Sequence, residues 1–219
     1  MAASSPHIAE TIALGFAFDP KNNERMRQMD LSDLFASVGK LFDLLDERKV
    51  DYVVAGGIAM LAYVEGRNTQ DIDLLLSREA VGQLPELSIE DENNDFLRAK
   101  FGQLQVDALL TAKQFFSRIA QSHSTVQTFA DRKVRCTTPE GLVLLKLFAL
   151  PSLYRQGNFA KVRIYEGDIE ALVDTCGLDT KILLKGLEGE VIDTDLKEIA
   201  NILSDIEQRI TVKRSRFAE

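Results

Sequence analysis

Two aspartates with a single residue between them, Asp71 and Asp73, lead straight into Leu74, Leu75 and Leu76. Residues i and i+2 of a strand project from the same face, so the two carboxylates stand side by side. Like charges so placed repel, and burying them without partners costs roughly several kcal/mol by desolvation alone. Yet the leucines call for a core strand. A divalent cation resolves the conflict, because magnesium takes one or two carboxylates together with waters and phosphate oxygens. Taken alone, an Asp-x-Asp pair is a weak signal, because such pairs are common at loop ends, where both groups are simply hydrated.

Three neighbours bear on that choice. Gly56-Gly57 follows a short β-branched run, residues 51–55. Two glycines let a backbone approach a ligand closely and let N–H groups at a helix start face a phosphate; the plainer alternative is a tight turn that needs positive φ. Asp107 interrupts the apolar stretch Leu104–Leu110. It is either a strand end paired with an arginine or the third member of a carboxylate cluster. In the second role it binds metal and helps take the proton from an attacking hydroxyl. Arg67 and Thr69 set a cation and a hydroxyl just upstream of Asp71. Arg67 suits either triphosphate charge or a structural ion pair with an aspartate.

These residues need a frame, and the hydrophobic periodicity supplies one. Residues 1–30 are heterogeneous, form an extension of undefined structure, and contain a loop at residues 19–23. Ser32 can cap a helix whose stripe is Leu34, Val38, Leu41, Phe42 and Leu45. A strand at 51–55, a helix at 58–64, a strand at 71–77, a short helix and an acidic irregular segment at 86–95 follow. Residues 96–100 and Leu104–Leu110 form a hairpin around Gly102-Gln103. Residues 111–121 read as helix, and 126–129 with 133–136 as extended chain. Beyond Thr138, a cap ahead of Pro139, the pattern is helical at 139–150, 160–175, 180–186 and 194–210. The expected class is α/β (α+β): a mixed sheet flanked by helices over residues 31–137, then a helical lobe over 138–219.

Composition narrows the partners. With 26 basic and 34 acidic residues the net charge is −8, so the molecule repels polyanions, which speaks against bulk DNA binding. The apolar runs are too short to span a bilayer, and residues 1–20 lack the charged region and continuous apolar block of a secretory signal. Cys136 and Cys176 make no disulfide framework or metal-ligand pattern, which fits a cytoplasmic setting. No Gly-x-x-x-x-Gly-Lys-Ser/Thr loop is present. His7 and His123 stand apart from each other, without zinc-ligand spacing or a nucleophile nearby. The terminal Lys213, Arg214 and Arg216 read as a solvated tail.

Gly56-Gly57, then Arg67-x-Thr69-x-Asp71-Ile72-Asp73-Leu74, then Val106-Asp107 resemble the core motifs of the polymerase-β-type nucleotidyltransferase superfamily. Within it the likeness is nearest to the AbiEii-type abortive-infection proteins and related bacterial nucleotidyltransferase-like domains. It continues through Thr138-Pro139-Glu140, Lys146, Lys161 and Asp168-Ile169. The resemblance implies transfer of a nucleoside monophosphate from an NTP donor to an acceptor hydroxyl on RNA such as tRNA, on protein or on a small molecule. Two magnesium ions would sit on Asp71 and Asp73, with Asp107 completing the acceptor-side one. Gly56, Gly57, Arg67 and Thr69 would line the nucleotide site, with Lys146, Lys161 and Asp168 approaching from the helical lobe. For those last three the residues themselves also allow a snorkelling lysine at 146 and structural roles at 161 and 168. A toxin-like role with an antitoxin partner is implied by the resemblance alone. One departure is that many members carry Gly-Ser where this chain has Gly56-Gly57, which removes a hydroxyl and leaves a regulatory, catalytically weak nucleotide- or metal-binding protein as the alternative.

Overall fold

A strand at the centre of a sheet is covered on both faces and reads as a largely apolar run, and two such segments of this chain frame the carboxylates. They are β2 (Asp71–Leu76) and β5 (Leu104–Leu110), buried at most positions and half-buried at the rest. In the computed structural model, which describes residues 6–22, 31–65 and 68–216, they pair in parallel, from Asp71 opposite Gln105 to Leu76 opposite Leu110.

Around this pair the sheet grows outward. On one side β4 (Phe96–Phe101) forms the expected hairpin with β5, and β3 (Ser88–Glu92) adds antiparallel to β4. On the other, β1 (Tyr52–Ala55) runs antiparallel to β2, and β7 (Lys133–Thr137) runs parallel to β1. The outermost strand there is β6 (Ser124–Thr128), antiparallel to β7. The seven-stranded order is β3-β4-β5-β2-β1-β7-β6, a mixed sheet as expected for this α/β class. The two edges differ in chemistry. β3 is exposed at every residue and carries Glu90, Asp91 and Glu92, charges that discourage edge pairing; β6 carries none, and its Val126 is exposed.

Helices cover the sheet. The expected stripe of Leu34, Val38, Leu41, Phe42 and Leu45 is the buried face of a helix spanning Leu31–Glu47, with Ser32 inside its first turn rather than ahead of it. That helix is α2, because a helix also forms in the N-terminal extension. This α1 (Ile8–Ala17) packs against α2, and its Ile8, Ile12 and Phe16 are buried. The helix expected at 58–64 is a single short turn, α3 (Gly56–Met60), followed by turns. The acidic segment expected to be irregular contains β3. Short α4 (Arg78–Gly82), capped by Ser77, and α5 (Gln114–Ser122) complete this part.

The chain divides into two compact units, Met1–Thr138 and Pro139–Glu219. The second is all helical: α6 (Pro139–Arg155), α7 (Phe159–Cys176), α8 (Thr180–Lys185) and α9 (Asp193–Arg216). Here α6 runs on through Pro151, where the sequence pattern ended it at residue 150, forgoing one backbone hydrogen bond at that residue. The basic end of the chain is no loose tail. Arg214 donates to the Asp174 carboxylate at 2.6 and 2.9 Å, and Lys213 lies 3.6 Å from it, tying α9 to α7. Among the described residues no helix is long and apolar enough to cross a membrane.

A close approach joins α1 to the loop that precedes β2. Gly15, on the buried face of α1, lies so near the backbone of Thr69 that a Cβ would sit 2.2 Å from its carbonyl oxygen. Gly167, within α7, faces open space. The same substitution should therefore act with opposite signs. Alanine gains about 1 kcal/mol over glycine in a helix interior, but forced overpacking costs roughly 1–3 kcal/mol. Gly167→Ala should raise the urea midpoint, and Gly15→Ala should lower stability by up to about 2 kcal/mol net.

Candidate active site

Strand register lines up a row of residues across the sheet. Ala55 lies opposite Asp73, Asp73 opposite Asp107, Asp107 opposite Arg98, and Arg98 opposite Asp91. Register partners on neighbouring strands share a face, so Asp73 and Asp107 point the same way. Asp71, two residues along β2, joins them. One carboxylate oxygen from each of Asp71, Asp73 and Asp107 lies within 4.8 Å of the other two. Asp107 is buried and the other pair half-buried.

The glycines explain themselves at this face. Gly56 has φ +57°, and a Cβ on it would fall 1.7 Å from Asp73 Oδ2. Any other residue would be strained in its backbone and would displace the carboxylate. At Gly57 a Cβ would lie 2.5 Å from both Cβ and Oγ1 of Thr69. A serine there would need space that Thr69 fills, so the missing hydroxyl of the Gly-Gly pair is matched by a threonine hydroxyl arriving from another loop. That hydroxyl donates to Asp71 Oδ1 at 2.8 Å, and Thr69 itself is buried.

The N-terminal segment secures this loop. Asn22 Nδ2 donates to the Phe16 carbonyl at 3.1 Å and to Gln70 Oε1 at 2.9 Å, while Gln70 Nε2 donates to Asp19 Oδ2 at 2.8 Å. The Gln70 amide, helped by the Lys21 backbone N–H, holds the Asp19 carboxyl below its ordinary pKa. Arg67 lies outside the described residues.

Both readings of Asp107 hold together. It is a member of the cluster, and it is paired with an arginine. Arg98 Nε donates to Oδ1 at 2.9 Å and Nη2 to Oδ2 at 2.8 Å, with Gln105 Nε2 adding a third bond to Oδ1 at 3.2 Å. The hydrogen bonds to Asp107, then the charges of Asp107, Asp71 and Asp91, raise the Arg98 guanidinium above its ordinary pKa. Sequence reasoning did not single out Arg98, although its signal was present. Once the turn at Gly102-Gln103 sets Phe101 opposite Leu104, counting back along the hairpin brings Arg98 opposite Asp107.

The donor set suits a hard cation. Three anionic oxygen donors converge, without nitrogen or sulfur ligands among the described residues, as magnesium or manganese prefers. Three carboxylates so close carry a mutual repulsion that a divalent ion would relieve.

Lys146 and Asp168 meet each other inside the second unit. Lys146 Nζ donates to Asp168 Oδ2 at 2.8 Å, both side chains are buried, and the ammonium lies 4.5 Å from the centre of the Tyr165 ring. Lys146 is therefore no snorkelling surface lysine. Lys161 approaches the same ring at 5.5 Å.

No family model and no curated protein matches the chain. Among solved structures it is similar to the crystal structure of ANT(2'')-Ia in complex with adenylyl-2''-tobramycin, at 15% identity over 78% of this chain and 95% of that one, with a TM-score of 0.49. The solution structure of the antibiotic-resistance factor ANT(2'')-Ia is 18% identical over 87% and 100% of the two chains, TM-score 0.48. An antigenic nucleotidyltransferase-like protein from Paracoccidioides brasiliensis is 18% identical over 74% and 89%, TM-score 0.46. Likenesses this distant leave the functional reading to the chain's own residues.

Two stability measurements probe these contacts. Thr69→Val keeps the shape but removes the donor to a buried-side carboxylate oxygen, and should cost about 1.5–3 kcal/mol in urea unfolding; Thr69→Ser should cost under about half of that. Asp168→Asn takes the counter-charge from a buried lysine and should cost about 3–5 kcal/mol, whereas the double change Lys146→Met/Asp168→Leu should recover most of the loss.

Proposed function

We propose that this chain is a magnesium-dependent nucleotidyltransferase that moves a nucleoside monophosphate from an NTP to an acceptor hydroxyl. The observation that carries the reading is the convergence of Asp71, Asp73 and Asp107, each with an oxygen within 4.8 Å of the others, on one sheet face beside a glycine turn. Asp71 and Asp73 would hold two ions, and Asp107 would complete the one on the acceptor side. When bound, such a metal pair supplies Lewis-acid stabilisation to the attacking and leaving oxygens of an in-line displacement.

The chain's own residues set the rest. A bond forms between the acceptor oxygen and the α-phosphorus as the bond to pyrophosphate breaks, and the hydroxyl proton leaves toward Asp107 and on to solvent. Thr69 holds Asp71 in one orientation through its 2.8 Å hydrogen bond. Gly56 and Gly57 keep side chains out of the volume beside Asp73 and Thr69, and their backbone N–H groups would hold the triphosphate. Lys146 and Asp168 are engaged with each other, so no step is assigned to them. The net charge of −8 weighs against an acceptor gripped through many phosphates and toward one held by few contacts. A toxin-like role and an antitoxin partner, like kinship with the AbiEii-type proteins, rest on the sequence resemblance alone.

The test is a transfer assay with each α-labelled NTP, magnesium, total RNA, lysate protein and a panel of small hydroxylated compounds. Wild type should label one acceptor class, while a folded Asp71→Asn/Asp73→Asn variant should lose at least about a thousandfold of the rate, the scale of removing the main electrostatic stabilisation. No transfer by the wild type, with magnesium and NTP leaving its melting temperature unmoved, would overturn the enzyme reading.

A further inference from the structure

Arg98 sits where a metal-dependent site has least use for a fixed cation. Its guanidinium fork closes on both oxygens of Asp107, the buried member of the carboxylate cluster, and the same row continues to Asp91 on the far side of Arg98. A planar fork binding a carboxylate at two points fixes that carboxylate's orientation as well as its charge. A divalent ion approaching Asp107 meets oxygens already engaged, Oδ1 by Arg98 and Gln105 and Oδ2 by Arg98, and is repelled by the guanidinium charge. Arg98 itself is about one-third exposed, its side chain at 37%, so it has room to turn. Asp91, its register partner on the exposed edge strand β3, stands ready as a second carboxylate; it follows a register shift in the strand between Ile89 and Asp91.

We propose that Arg98 is a positioning residue that competes with the divalent ion for Asp107 and so sets the cluster's ion affinity. This rests on the reading of Asp71, Asp73 and Asp107 as a metal site. In the ion-free chain the fork holds Asp107 in place. Coordination of an ion by Asp107 loosens the fork, and Arg98 shifts its charge toward Asp91. The arrangement keeps a cation at the third carboxylate at all times, which limits repulsion within the cluster before the metal arrives. It also makes the acceptor-side position the weaker of the two.

The inference reverses the usual sign of a damaging substitution. Arg98→Gln removes a competing charge and should tighten ion binding while disordering Asp107 and slowing transfer. Arg98→Lys keeps the charge but engages a single oxygen at a time, and should fall between. The probe is Mn2+ alone, titrated without nucleotide and followed by the spin-resonance signal of the free ion, with melting temperatures recorded in parallel. Expected is an order of affinity Gln above Lys above wild type, with Gln tighter than wild type by about fivefold or more, given the loss of one nearby positive charge. Transfer turnover should fall in both variants by at least about tenfold, with the KM for NTP changed by less than about threefold, the pattern of a lost transition-state interaction.

A residue that merely stabilises the strands gives weaker or equal Mn2+ binding in the variants, and that result overturns the inference. Should Arg98→Gln fail to fold, wild type against Arg98→Lys decides it, tightening for and equality or weakening against. The two readings fail separately. Wild type that binds Mn2+ through Asp71 and Asp73 yet transfers nothing defeats the enzyme reading and leaves this inference to the affinity order. Wild type that binds no Mn2+ at millimolar concentration defeats the metal site and this inference with it.

Discussion

Three carboxylates crowded within 4.8 Å on one sheet face repel one another, and the surrounding structure is arranged to hold them there. Each has a different restraint. Asp71 accepts from the hydroxyl of Thr69, Asp73 lies against a glycine that has no side chain to displace it, and Asp107 is gripped by Arg98 and Gln105. The strands beneath supply the stiffness. Asp73 and Asp107 ride on two largely buried central strands, so neither can drift without breaking the parallel ladder between β2 and β5.

Restraint of this kind is local in space and scattered in sequence. Thr69 is held on one side by Gly57 and on the other by α1 through Gly15, and Gln70 is bonded to both Asp19 and Asn22. The result is a loop packed between glycines, with its hydroxyl aimed at Asp71. Close packing leaves such a loop few alternatives, and a preorganised ligand set is what electrostatic chemistry requires.

Much of this could be read from residue types, and the limits have physical causes. Asp71, Asp73 and Asp107 declare themselves because carboxylates in apolar strands are conspicuous. The central strands and α2 were legible because burial imposes a period on them. The helix α1 was not, although Ile8, Ile12 and Phe16 are spaced for one: Ala9, Ala13 and Gly15 also lie on its buried side and blur the contrast between faces. The strand β3 shows no alternation because both its faces meet solvent, so nothing selects apolar residues for either. Strand order lay beyond reach, since β2 finds β5 and β1 finds β7 across intervening elements that carry no local mark of the pairing. Gly56 and Gly57 looked like a phosphate turn from sequence; the structure gives them a second cause, the room that Asp73 and Thr69 occupy.

The contact between Gly15 and Thr69 also has a consequence in time. Synthesis proceeds from the N-terminus, so α1 leaves the ribosome well before the loop it braces exists, and its apolar face has no lasting partner until α2 follows. Even then the brace is idle until Thr69 and Gln70 arrive. The final arrangement around Asp71 thus joins an earlier-made segment to a later one. A fragment beginning at α2 would keep every aspartate of the cluster and still lack the wall that sets the Thr69 loop. In this molecule a helix made early completes its packing only when a later loop arrives.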